Sequence, residues 1–269
     1  MKYGNASWGF RETPLEEQLR ITRNMGLPIL ELGIANAPND LPLDVPEEEL
    51  SKIKALYSRY GIKLCCAATG NDFTNDSTDV EKVKRVMDIC EILGVQNLRI
   101  FAGFSPVEKV VGQKWDCMVH CLRECAAYNT NVTLAVETHG GVNSFDEGVK
   151  HFYSVTTKSE VLFRLLSELP DNIKITYDPA NLWAVGIKKP EEIYHEIRKR
   201  VAVVHLKDFV TLPSGCLRPA ACGESEMDWK PILKDLNPEI PWLFEYENTK
   251  DVEQGLKRCL AFINKQRNI

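Results

Sequence analysis

The sequence predicts an α/β protein, a (β/α)8 barrel of the TIM type that occupies residues 1–269 as one domain. Three observations predict it. Short, mostly apolar segments of strand character alternate with helical segments along the whole chain. The strand segments lack polar alternation, as do parallel strands buried on both faces. The length of 269 residues, with no Ser-, Gly- or Pro-rich linker, suits a single barrel, typically about 250 residues.

The strands are expected at 2–5, 29–33, 63–68, 97–101, 133–138, 174–178, 202–207 and 242–247. Each is followed by a helix. The first, 14–25, has Pro14 in its first turn and Thr13 before it as N-cap. The second, 46–60, opens on Pro46 and a run of glutamates suited to the positive end of the helix dipole, and closes on Gly61. The third, 78–93, stops at Gly94. Helices at 106–128, 159–169, 190–200, 229–236 and 252–265 complete the set. An open doubly wound sheet is the alternative. It calls for a glycine-rich phosphate turn after the first strand, and "YGNASWGF" is not one. Two long loops, 139–157 and 209–228, follow the fifth and seventh strands on the face where barrel active sites are built. They are either walls of a site or ordinary surface loops.

A net charge of −5 disfavours nucleic acid as a partner. No run is apolar enough for a membrane span, and "MKYGNASWGF" is no signal segment, so the cytoplasm is the expected location. Nine cysteines are scattered through the chain. Cys117, Cys121 and Cys125 share one helix face, which reads as buried small residues because one face cannot close a zinc tetrahedron.

The chemistry lies at the ends of the last four strands. "LAVETHGG" delivers Glu137, "KITYDPANL" Asp178, "VVHLKD" His205 and "LFEYEN" Glu245. In a barrel these four meet at one point. Three carboxylates repel each other there unless a cation sits among them, and the hard donor set suits Mn²⁺ or Mg²⁺. A structural ion-pair network using Lys207 and Arg99 is the competing reading. His139 follows Glu137 by two residues and Lys207 follows His205 by two, so both point to the same side as those groups. His139 reads as a substrate contact or a turn cap. Lys207 reads as a substrate contact or a partner for Asp208 or a ligand carboxylate. Trp8, Phe10, Phe101, Phe104 and Trp183 follow strand ends and read as sugar-facing walls or core packing.

From "VETHGG" through "YDPANL", "VHLKDF" and "CGESEMDW" to "FEYE", the chain resembles the xylose-isomerase-like barrel superfamily of sugar phosphate isomerases and epimerases. The resemblance spans nearly the whole chain. It implies one divalent ion, Mn²⁺ foremost with Mg²⁺, Co²⁺ or Zn²⁺ as alternatives, held by Glu137, Asp178, His205 and Glu245. It further implies that Glu137 and Glu245 transfer protons on opposite faces of a sugar or polyol substrate. Glu224 corresponds to a glutamate that recurs near the site. Asn181 stands where many relatives carry a substrate-contacting histidine, and Thr211 where tagatose-type epimerases carry an arginine. Relatives are often dimers or tetramers, so a homo-oligomer fits.

In such a site a ketose chelates the cation, its C–H is acidified, and an enediolate forms. Proton return to the same carbon from the opposite face epimerises, return to the neighbour isomerises, and loss of a β-hydroxyl dehydrates. Expected functions are therefore a metal-dependent isomerase or epimerase, a dehydratase or lyase on a keto-sugar or inositol derivative, or a sugar-binding barrel without turnover. The absence of a cluster of glycine amides and basic residues favours an unphosphorylated substrate. A DNA-repair endonuclease on this barrel needs three zincs and extra histidines. The chain has five histidines, and "AATGND" at the third strand end carries none.

Overall fold

The computed structural model describes residues 2–75 and 78–267. In chain order the elements are β1 (Lys2–Asn5), α1 (Leu15–Asn24), β2 (Ile29–Gly33), α2 (Glu47–Tyr60), β3 (Lys63–Ala68), α3 (Asp79–Leu93) and β4 (Asn97–Ile100). Then come α4 (Gln113–Tyr128), β5 (Thr133–Glu137), β6 (Gly141–Phe145), β7 (Gly148–Phe152), α5 (Ser159–Glu168), β8 (Lys174–Tyr177) and α6 (Pro179–Ala184). The chain continues through α7 (Pro190–Ile197), β9 (Val201–Leu206), β10 (Asp208–Thr211), β11 (Leu217–Ala220), α8 (Trp229–Asp235), β12 (Pro241–Phe244) and α9 (Val252–Arg267).

Strands β1, β2, β3, β4, β5, β8, β9 and β12 close in that order into a parallel barrel. The predicted (β/α)8 architecture is thus present. Its outer core is a continuous apolar layer between barrel and helices, with Trp115, Trp242 and Tyr177 almost fully buried. Inside the barrel, Ile29, Cys66, Val203 and Leu243 form a separate apolar plug. Burying an aliphatic side chain of this kind contributes ~1.5–3 kcal/mol.

The inward columns change character every two residues, because alternate strand residues share a face. On β2 the plug residue Ile29 is followed by Glu31. On β9 Val203 is followed by His205 and, past the strand end, Lys207. On β12 Leu243 is followed by Glu245 and Glu247. The amino-terminal half of the barrel is therefore apolar and its carboxyl-terminal mouth is charged. The β2–β3 register shifts between Leu30 and Glu31, a bulge beside the charged layer.

Several sequence expectations are corrected. Thr13 does not cap α1. Pro14 occupies the N-cap position, and the Thr13 carbonyl accepts from the Gln18 side chain at 2.8 Å. The expected helix 106–128 is broken at Gly112, whose φ of 53° suits glycine, so only a 3-10 turn (Val107–Lys109) precedes α4. Cys117 is exposed, while Cys121 and Cys125 are buried. The two long loops are not irregular: β6 and β7 form one antiparallel hairpin, β10 and β11 another, and β11 pairs with β7 in a four-stranded sheet. Among the described residues no helix is long and apolar enough to cross a membrane.

Candidate metal centre and active site

Glu137 is the last residue of β5, His205 lies near the end of β9, and Asp178 and Glu245 directly follow β8 and β12. Pro179 starts α6 at once, so Asp178 caps it by accepting from the Asn181 amide at 3.0 Å. One donor atom from each of Glu137, Asp178, His205 and Glu245 lies within 4.8 Å of the others, and all four residues are buried. These groups can hold a metal ion.

Two features test that fit. Asp178 Oδ2 and His205 Nδ1 are buried without a hydrogen-bond partner, and both belong to the cage. The charges are also unequal. Five carboxylates, Glu31, Glu137, Asp178, Glu245 and Glu247, are in ion-pair contact with two permanent cations, Arg99 and Lys207, or with His205. A dication offsets most of that excess, so the donor set suits one.

His205 is held from both sides. Its Nε2 lies 3.3 Å from Glu31 Oε2, and its Nδ1 lies 3.7 Å from Glu137 and 3.5 Å from Glu245. Glu31 in turn accepts from the Ser7 amide at 3.0 Å and hydroxyl at 2.8 Å. With Nε2–H donated to Glu31, Nδ1 keeps its lone pair for the cage. The sequence reading missed this role of Glu31. A fourth strand-end carboxylate, beyond those of the cage, was the available signal.

The remaining groups hold the cage. Arg99 Nε lies 3.4 Å from Glu137 Oε2. Asn181 Nδ2 donates to Glu137 Oε1 at 3.1 Å. Lys207 lies 3.4 Å from Asp178, 3.0 Å from Glu245 and 2.8 Å from Glu247, and so pairs with cage carboxylates rather than with Asp208. Asp208 instead accepts from the Gly223 amide and the Trp229 indole. Both sides of the sequence alternative therefore coexist: the cationic side chains pair with a cage that still carries excess negative charge.

These contacts set the ionisation. Burial opposes charge on Glu137, but the nearby His205 imidazole and the Arg99 charge outweigh it and bring Glu137 to about 2. Burial likewise opposes charge on Glu245, and Lys207 and His205 hold it well below the usual carboxylate range. Burial, with Glu137 and Glu245 nearby, pushes Asp178 up to about 7 against the pull of Lys207.

A cavity of about 390 Å³ opens beside the cage. Glu137, Glu245, His139, Lys207 and Trp8 line it, as the sequence suggested, together with Arg99, Phe101 and Phe104. Glu247, Asn36, Val142, Val149 and His151 line it as well and were missed. Val149 and His151 alternate on β7 and Val142 faces His151 across the hairpin, so one face of the small sheet forms a cavity wall. A larger groove of about 900 Å³ lies against α1 and α2, away from the cage.

Three predicted substrate contacts lie elsewhere, and Phe10, read as a wall or as core packing, is fully buried in the outer core. Glu224 is exposed and paired with Arg258 at 2.8 Å, because the turn at 221–224 folds its other oxygen back onto the Ala221 amide. Trp183 is buried in the outer core, since α6 carries it away from the barrel axis. Asn181 is buried against Glu137 rather than on the cavity wall.

No curated protein matches the chain by sequence. Solved structures share the fold. The probable 3-DHS dehydratase AsbF of Bacillus anthracis, involved in petrobactin synthesis, superposes with a TM-score of 0.78 at 15% identity, over 98% of this chain and 99% of that one. D-allulose 3-epimerase of Methylomonas sp., solved with D-allulose, gives 0.74 at 12% over 99% and 97%. The IOLI protein, solved with a zinc atom, gives 0.71 at 18% over 99% and 98%. A family model described as xylose isomerase-like TIM barrel matches residues 19–266. The chain belongs to the xylose isomerase-like TIM-barrel family.

Proposed function

We propose that the chain is a divalent-metal-dependent sugar isomerase or epimerase, acting on a ketose or related polyol derivative through an enediolate. One observation carries this reading: four buried donor atoms from four strand ends within 4.8 Å of each other, beside a cavity of monosaccharide scale. Glu137, Asp178, His205 and Glu245 would hold the ion, and their hard donors favour Mn²⁺, with Mg²⁺, Co²⁺ or Zn²⁺ as alternatives. The chemistry such an ion supplies when bound is Lewis acidity toward a carbonyl oxygen.

The chain's own residues do the proton work. Glu137, kept ionised by His205 and Arg99, takes a proton from the carbon beside the carbonyl, and Glu245 serves the opposite substrate face. Lys207 holds Glu245 and Glu247 in place, and Asn181 holds Glu137. Delivery of a proton to the same carbon from the opposite face gives an epimer, and delivery to the neighbouring carbon gives an isomer.

The test pairs elemental analysis with exchange of substrate C–H for deuterium. About one dication per chain and slow exchange are expected, and Glu137→Gln lowers the exchange by roughly 10²–10⁴-fold. Unchanged metal content and exchange in Glu137→Gln would falsify the assignment. A dehydratase on a keto-sugar or inositol derivative is the second reading. His139 favours it, because it lines the cavity with Nδ1 donating to the Gly140 carbonyl at 2.6 Å, so Nε2 can accept the C–H proton and pass it to the departing hydroxyl, which leaves as water. Mass spectrometry separates the two: an isomer keeps the mass and dehydration loses water.

A further inference from the structure

Two imidazoles on the cavity wall are left over from the cage chemistry. His139 Nδ1 donates to the Gly140 carbonyl at 2.6 Å, so Nε2 presents a lone pair. His151, on β7, has its ring centroid 6.3 Å from that of His139. Its Nδ1 is buried without a hydrogen-bond partner. Phe101 and Phe104 meet the His139 ring edge-on at 5.2 and 5.4 Å, and Phe209 packs against the His151 ring at 5.2 Å, so both imidazoles sit among apolar rings. An unpartnered polar atom in such a place is unfavourable unless a ligand satisfies it.

No positive charge is left over on the same wall. Among the described residues, Arg99 and Lys207 are the lysine and arginine side chains lining the cavity. Arg99 faces Glu137 and donates to the Thr69 carbonyl at 3.0 Å. Lys207 is shared among Asp178, Glu245 and Glu247. Burial takes His151 to about 3, so that ring is neutral near neutral pH. Even with a dication in the cage, carboxylates outnumber the permanent positive charges. An anionic ligand group meets repulsion there and finds no uncommitted cation.

Building on the function proposed above, we infer that the substrate is an uncharged polyhydroxy carbonyl compound, without phosphate or carboxylate, whose hydroxyls remote from the carbonyl are held by His139 and His151. The phenylalanines take the C–H face of its ring or chain. His151 is then a specificity residue contributed by the small sheet. The cavity of about 390 Å³ suits one sugar or cyclitol unit.

The experiment is binding, measured by calorimetry on metal-free and manganese-loaded protein. The probes are neutral ketohexoses and a keto-inositol, the phosphate esters of those ketoses, and the matching keto-aldonates. At least one neutral probe is expected to bind roughly tenfold or more tightly than its charged counterparts. His151→Ala weakens that binding roughly tenfold with manganese content unchanged, and His151→Gln, which keeps a donor and an acceptor, recovers most of it. Tighter binding of a phosphate or carboxylate, no binding of any neutral probe, or unaltered affinity in His151→Ala overturns the inference. A protein that binds neutral ketoses but exchanges no C–H contradicts the proposed reaction and leaves this assignment standing.

Discussion

The charged mouth of the barrel and the four-stranded sheet beside it line one cavity, yet they hold their side chains by different means. At the mouth, Glu31, Glu137, His205 and Glu245 are each at most 2% exposed and bonded to one another or to Arg99 and Lys207. In the sheet, β6 is exposed from Val142 to Phe145, and β7 joins β11 through the single pair Leu217 and Val149. Parallel strands wedged between two cores fix the mouth, whereas short hairpin ladders fix the sheet. A rigid centre beside a more adaptable wall separates two tasks. On the function proposed, the mouth would position the reacting groups and the sheet would select what reaches them.

Breaking the mouth has the largest expected effect. His205→Ala removes a cage donor and leaves Glu31 buried without its imidazole partner. Metal content falls from about one per chain to near zero by elemental analysis, and C–H exchange drops by roughly 10³-fold or more. A His205→Ala protein that keeps its metal would contradict the assignment of the mouth. Glu31→Gln sharpens the same side. Its loss of charge next to His205 weakens metal binding by roughly 10–100-fold in a competition titration, with the fold retained by circular dichroism.

The sheet gives smaller effects of a different kind. Gly215 turns the β10–β11 hairpin at φ 76°, where a β-branched residue is strained. Gly215→Val is expected to raise KM a few-fold by steady-state kinetics, with metal content unchanged, and equal metal loss would erase the division of tasks. The smallest effect concerns acid. Burial lowers His151 from 6.5 to about 3, so between those values the unfolded chain binds a proton that the folded chain refuses. Stability is lost as pH falls through that window. His151→Gln removes this contribution, and melting curves across the window become less steep with pH.

The two regions also differ in how far the sequence exposed them. The barrel strands are short apolar runs, and β1, β2 and β3 begin and end where the pattern placed them. The cage followed because four strand ends each present a donor. The small sheet was hidden because Asn143, Ser144 and Phe145 face solvent and show no apolar alternation. Its turn residues, Ser214-Gly215 and Asp146-Glu147-Gly148, were the readable signal, and with it His151 would have been placed. Glu224 and Trp183 were misplaced for another reason. Glu224 was placed by resemblance and Trp183 as an aromatic following a strand end, and a tight turn at 221–224 and helix α6 carry them away from the cavity.

Anomalous diffraction from crystals grown with manganese tests the central claim most directly. The account predicts one peak at roughly 2.0–2.4 Å from oxygens of Glu137, Asp178 and Glu245 and from Nδ1 of His205, with the Lys207 ammonium drawn back toward Glu247. A vacant cage at saturating manganese, with that ammonium still between Asp178 and Glu245, would contradict it.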